Sequence, residues 1–179
     1  MHSITKIIAL GFLVCLFLYT EAGVAMAQEV EVVSQSAQLV TNKSSNLAVD
    51  FREVRLKNFL RKYNSPLEKH AGDFIYWADK YSIDWRLVPA ITGVESTFGR
   101  RIPKNSYNAY GWANGSHKFG TWEVSIEVVT SALRHKYINK GADSIPKIAR
   151  RWAPPSKTWA SNVSYFINKI DATPVEFDI

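Results

Sequence analysis

Glu95 is the residue whose type and position most directly suggest chemistry. Leu87, Ile91, Val94 and Phe98 recur at intervals of three and four, which predicts a helix beginning near Asp84 and stopped by Gly99. Glu95 borders that apolar stripe at the last turn. Partial burial and the negative end of the helix dipole both favour the neutral carboxyl there, the state a general acid needs. Just downstream, Ser106, Asn108 and Tyr110 alternate with Tyr107, Ala109 and Gly111, so an extended backbone would turn one polar, hydrogen-bonding face outward. The run Tyr110-Gly111-Trp112-Ala113, then Asn114-Gly115, then Ser116-His117-Lys118-Phe119 predicts a hairpin, since Asn-Gly suits a tight turn with positive φ at both central positions. A proton donor would then sit beside an aromatic and polar ribbon. The ordinary alternatives are a solvated Glu95 paired with Arg100 or Arg101, and aromatic rings that only cover a core edge.

The order of these segments resembles a known family. Glu95-Ser96-Thr97-Phe98-Gly99, then Ser106-Tyr107-Asn108-Ala109-Tyr110-Gly111-Trp112, then Phe119-Gly120-Thr121-Trp122-Glu123 leading into a helix, resembles the lysozyme-like peptidoglycan hydrolases. Within them it is most similar to the bacterial endo-beta-N-acetylglucosaminidase branch, over roughly residues 81–170. Lytic transglycosylases share the Glu-Ser acid, but their usual later G-x-x-G-L-M-Q motif is missing. The resemblance implies an α+β, mostly α, single lysozyme-like domain with a small β-hairpin at the cleft. It also implies that Glu95 protonates a departing glycosidic oxygen while Ser96, Ser106, Asn108, Tyr110 and Trp112 contact the sugar. Glycosidases commonly use a second carboxylate, and Glu123 is the candidate. An acid in the first turn of a helix is, however, ordinary dipole complementation. The substrate's own acetamido oxygen, or a bound water, could fill that role instead.

Several further elements must position these residues. Lys6, the apolar run Ile7 to Tyr19 and Ala25-Met26-Ala27 predict a secretory signal peptide over residues 1–27, because the run is shorter than the ~20 residues that span a bilayer. Residues 28–48, rich in Ser, Gln, Val, Asn and Thr without a period, predict a flexible spacer. Residues 49–171 are expected to be the catalytic domain, and 172–179 a C-terminal tail. The domain should open with an amphipathic helix over Val49 to Tyr63. Ser65-Pro66-Leu67-Glu68 predicts a helix start, with the helix running to about Tyr81. Asp84 should cap the acid-bearing helix, and Thr121 the helix from Trp122 to about Tyr137. Asp143-Ser144-Ile145-Pro146 predicts another helix, stopped by Pro154-Pro155, and Thr158 to Ile170 the last.

Composition narrows the function classes. Cys15, inside the apolar run, is the sole cysteine of the 179 residues, so an exported chain would have no thiol for disulfides, metal binding or catalysis. His70, His117 and His135 are too dispersed to suggest a metal site, and no cofactor is expected. The formal net charge of +6 favours anionic surfaces, and cell-wall polymers fit that. The basic residues are scattered without a nucleic-acid motif, so no nucleic-acid partner is expected. The chain is expected to act as an extracytoplasmic, wall-associated monomer without a permanent membrane span. Two rivals remain: a lytic transglycosylase using Glu95 alone, and a wall-binding domain without catalysis.

Overall fold

The computed structural model describes residues 49–177; the signal-peptide and spacer readings at 1–48 lie outside the described residues. Among the described residues six α-helices carry the fold: α1 Phe51–Lys62, α2 Ala71–Lys80, α3 Leu87–Ser96, α4 Trp122–Ala132, α5 Ile145–Trp152 and α6 Trp159–Asp171. Short 3-10 turns at Glu68–His70 and Ile138–Lys140, and a π-helical turn at Leu133–Tyr137, complete the helical elements. No helix among the described residues is long and apolar enough to cross a membrane.

Local sequence accounts for most of the boundaries. Asp50 caps α1 by accepting from the Arg52 amide at 2.9 Å, and Thr121 caps α4 by accepting from the Val124 amide at 3.3 Å. Asp84 accepts from the Arg86 amide just ahead of α3. Ser65 accepts from the Leu67 amide, but a 3-10 turn intervenes and α2 itself begins only at Ala71.

The helices close around one apolar core. Leu56, Phe59 and Leu60 of α1, Phe74 and Ile75 of α2, Ile91 of α3, Ile126 and Val129 of α4, and Val163 and Ile170 of α6 are all at least 95% buried. Burial of a side chain of this size contributes roughly 1.5–3 kcal/mol. The central helix α3 packs most extensively on α6, and α2 on α4. The segment after α6 folds back onto α1: the Asn58 amide donates to the Glu176 carbonyl at 2.8 Å, and the Phe51 and Phe177 rings meet edge to face.

The expected β-hairpin at residues 110–119 is absent: no strand occurs among the described residues, so the domain is helical rather than α+β. The chain does reverse near Asn114-Gly115, but Ala113, Asn114 and Gly115 all have positive φ, and the backbone winds through successive tight turns. The Gly115 amide reaches the Trp112 carbonyl and the Ser116 amide the Ala113 carbonyl. Asn108 supplies what a ladder would have supplied. Its Oδ1 accepts from the Trp112 amide at 3.0 Å, while its Nδ2 donates to the carbonyls of Trp112 and His117 at 2.9 and 3.1 Å. With the backbone groups met by one side chain, pairing of extended strands gains nothing further.

Candidate functional site

The end of α3 is where the sequence concentrates its chemistry, and its shape follows from a sharp backbone reversal. The helix stops at Ser96, three residues before the Gly99 expected to stop it, because Thr97, Phe98 and Gly99 all have positive φ. This reversal drives the Phe98 ring back under Gly93, into a cluster with Phe59, Tyr63 and Phe166. Only glycine fits at 93, since a Cβ there would lie 2.6 Å from the Phe98 ring. Aromatic packing thus fixes the last turn of α3.

Ser96 fastens the next segment to that turn. Its hydroxyl donates to the Ala109 carbonyl at 2.8 Å and accepts from the Gly99 amide at 2.9 Å. The latch carries Gly111 against the side chain of Glu95, where a Cβ on Gly111 would stand 2.9 Å from Glu95 Oε2. Gly111 also has φ +66°, so both its conformation and its neighbour require glycine.

The other oxygen of Glu95 is held from the opposite side. Oε1 accepts from Trp159 Nε1 at 2.7 Å and from Trp152 Nε1 at 3.0 Å. Trp152 ends α5 and Trp159 begins α6, so the Ala153–Thr158 turn brings their rings to 6.1 Å. An indole nitrogen only donates. With both indoles aimed at Oε1, that oxygen serves as their common acceptor and Oε2 takes part in neither bond. It faces Gly111, which is solvent exposed.

The residues expected to contact a sugar are distributed unequally. Ser96, Ser106, Asn108 and Tyr110 are all buried, and their polar atoms face the protein. Ser106 Oγ accepts from the Asn108 amide. Tyr110 is 1% exposed, packs on Phe119, and has no protein hydrogen-bond partner for its hydroxyl. Burial pushes its phenol pKa well up, with the nearby Ser125 hydroxyl acting the other way. Ser106, Asn108 and Tyr110 build the loop that presents Gly111, and Ser96 latches it to α3. Trp112 alone of the set remains half-exposed, its ring 6.2 Å from that of Trp152.

Glu123 has a different company. Its Oε1 lies 3.2 Å from His70 Nδ1, which is also 2.9 Å from Asp73 Oδ2. Its pKa is lowered, first by its own backbone amide and next by the Thr121 hydroxyl, as befits the first turn of α4. The three groups could offer donor atoms to a cation, all within 4.8 Å of one another. A lookout for clustered histidines misses this trio, because it uses one histidine and two carboxylates. An imidazole bridging two carboxylates accounts for the contacts without an ion.

Trp152, Trp159 and Gly111 are the site residues that sequence reasoning missed. The indoles read as ordinary core aromatics, 57 and 64 residues from Glu95. The one signal the sequence carries is Gly111 in the Tyr110-Gly111-Trp112 run, which the hairpin pattern assigns to a strand. A comparison with protein-family models gives no match, and a comparison with curated proteins gives none.

Proposed function

We propose that this chain is a glycosidase acting on the glycan strands of bacterial peptidoglycan, of the endo-beta-N-acetylglucosaminidase type, with Glu95 as general acid. The observation that carries the reading is the asymmetric seat of Glu95: Oε1 is held by two indole donors and Oε2 faces an exposed glycine. Such a seat orients the transferable proton before substrate arrives. In the reaction, Oε2–H gives its proton to the glycosidic oxygen as the C1–O bond breaks and the bonding pair leaves with that oxygen. The substrate's acetamido oxygen, or a water, then bonds to C1. The proton released when water finally adds returns to Glu95. The half-exposed Trp112 would stack on a pyranose face.

The setting proposed is extracytoplasmic, on the strength of the Ile7 to Tyr19 run, with the positive net charge favouring the wall surface. A transglycosylase reading draws on the same carboxyl and needs no second acid beside Glu95; the Glu123 carboxylate lies against His70, 3.2 Å from its Nδ1. Digestion of purified peptidoglycan by the Gln28-onward protein tests both. New reducing N-acetylglucosamine is the expected product. An anhydro-muramic end would replace hydrolysis by transglycosylation, and an intact wall in the presence of folded protein would overturn the enzyme reading.

A further inference from the structure

His70, Asp73 and Glu123 belong to none of the steps proposed for Glu95. His70 ends the 3-10 turn ahead of α2, Asp73 stands in the first turn of α2, and Glu123 in the first turn of α4. These two helices pack together, and both carboxylates converge on one nitrogen: His70 Nδ1 is 2.9 Å from Asp73 Oδ2 and 3.2 Å from Glu123 Oε1. Carboxylate oxygens only accept, so Nδ1 holds the pair with a single proton. That proton cannot point along two lines at once. Charge balance sets the cluster apart as well. Asp50, Asp79, Asp84, Asp143 and Asp171 each meet an arginine or a lysine. Asp73 is the aspartate among the described residues that meets neither, and Glu123 likewise has only the imidazole.

We propose that these three side chains form a site for a divalent transition metal of the Zn2+ class, fastening the start of α2 to the start of α4. One imidazole and two carboxylates without a thiol suit Zn2+ better than Cu+, which seeks sulfur, or Mg2+ and Ca2+, which seek oxygen alone. A tetrahedral ion with ligands at about 2.1 Å keeps its donors about 3.4 Å apart. Both nitrogen–oxygen distances fall within about half an ångström of that spacing, and the three donor atoms lie within 4.8 Å of one another. On binding, the imidazole gives its Nδ1 proton to water and takes one at Nε2, which leaves the Nδ1 lone pair for the metal. Glu123 is 53% exposed, giving the ion a way in and leaving a fourth position for water. Two helix N-termini oppose a cation with about half a positive charge each, and the two carboxylates outweigh them. The ion acts as a staple. Glu123 follows Trp122, whose ring meets Tyr107 edge to face at 5.3 Å, so the staple also steadies the loop behind Tyr107.

The test is calorimetric titration of the metal-stripped Gln28-onward protein, which lacks the competing Cys15 thiol, with zinc chloride, beside thermal unfolding with and without the metal. One equivalent should bind and raise Tm. His70→Gln and Asp73→Asn should each raise the zinc Kd about tenfold or more and remove the Tm rise. Magnesium chloride at the same concentration should leave Tm where it was. A folded parent that binds no zinc, or a His70→Gln protein that binds it as tightly as the parent, overturns the site. Equal stabilisation by magnesium overturns the class of metal. Should His70→Gln fail to fold, Glu123→Gln, altered only at the surface, decides by the same measurement: a weakened Kd supports the site, and an unchanged one overturns it. None of these outcomes bears on Glu95, whose test is digestion of the wall.

Discussion

Two glutamates at helix ends show how environment divides one residue type into two roles. Glu95 is half-buried at the C-terminal turn of α3 and is held by neutral indole donors on a single oxygen. Glu123 is exposed at the N-terminal turn of α4, where a backbone amide, a hydroxyl and an imidazole all favour its charged form. Dipole and partners agree at Glu123, which makes it a stable anion and a poor proton donor. Among the described residues no cation is bonded to Glu95, and geometry instead singles out one oxygen. A carboxyl fixed by aromatic N–H groups can be aimed without being neutralised by a salt bridge.

The largest expected effect breaks this comparison if it fails. Glu95→Gln keeps size and shape but removes the transferable proton, so wall digestion should fall roughly 100-fold to 10,000-fold with folding retained. Glu123→Gln should change the rate by less than about threefold, because it loses only a surface contact. Release of reducing sugar measures both. Equal losses from the two variants would put Glu123 in the mechanism, and parental activity in Glu95→Gln would remove Glu95 from it.

The next effects sharpen how Glu95 is aimed. Trp159→Phe retains an aromatic ring but deletes the 2.7 Å hydrogen bond to Oε1. A bond between neutral groups contributes about 0.5–1.5 kcal/mol, so kcat should drop by about twofold to tenfold while oligosaccharide affinity persists. Gly111→Ala should both strain the backbone, by about 1–2 kcal/mol for a left-handed residue, and press a methyl on Oε2. A lower Tm with unaltered kcat in Gly111→Ala would show that Oε2 has room to move, which contradicts the seat described above.

How much of this was legible in the sequence depended on whether a local pattern carried it. The stripe from Leu87 to Phe98 placed α3, and Thr121 caps α4 because capping needs only neighbours in the chain, whereas the expected Asp84 cap is not formed: Asp84 accepts from the Arg86 amide, and α3, with Arg86 at its cap position, has no side-chain cap. The hairpin failed for a physical reason: alternation of side chains cannot reveal that Asn108 meets the main-chain groups of Trp112 and His117. The stop of α3 moved from Gly99 to Ser96 because tertiary packing of Phe98 imposes positive φ on non-glycine residues. Trp152 and Trp159 were invisible as site residues, since nothing near them in sequence names Glu95 as their partner.

The smallest expected effect concerns carboxylates held by a cation, the opposite case to Glu95. Arg52 donates through both terminal nitrogens to Asp79 at 2.8 Å and through Nε to Asp50 at 3.1 Å, tying the start of α1 to the end of α2. The Arg52 hydrogen bond is the leading cause that holds both aspartates below the ordinary carboxylate range. A depressed folded-state pKa gives stability that is present above the unfolded value of about 3.9 and is lost as pH falls through the folded value. Thermal unfolding should therefore separate the parent from Arg52→Gln at pH 6, and the gap should close below about pH 4. These side chains are 34–55% exposed, so solvent screening limits the gap to about 1 kcal/mol or less. Added salt should narrow it at pH 6, whereas Trp159→Phe, which deletes no cation, should show a salt-independent loss. A gap for Arg52→Gln that stays constant from pH 6 to pH 2 would mean that packing of the Arg52 stem, and not its charge, joins the two helices.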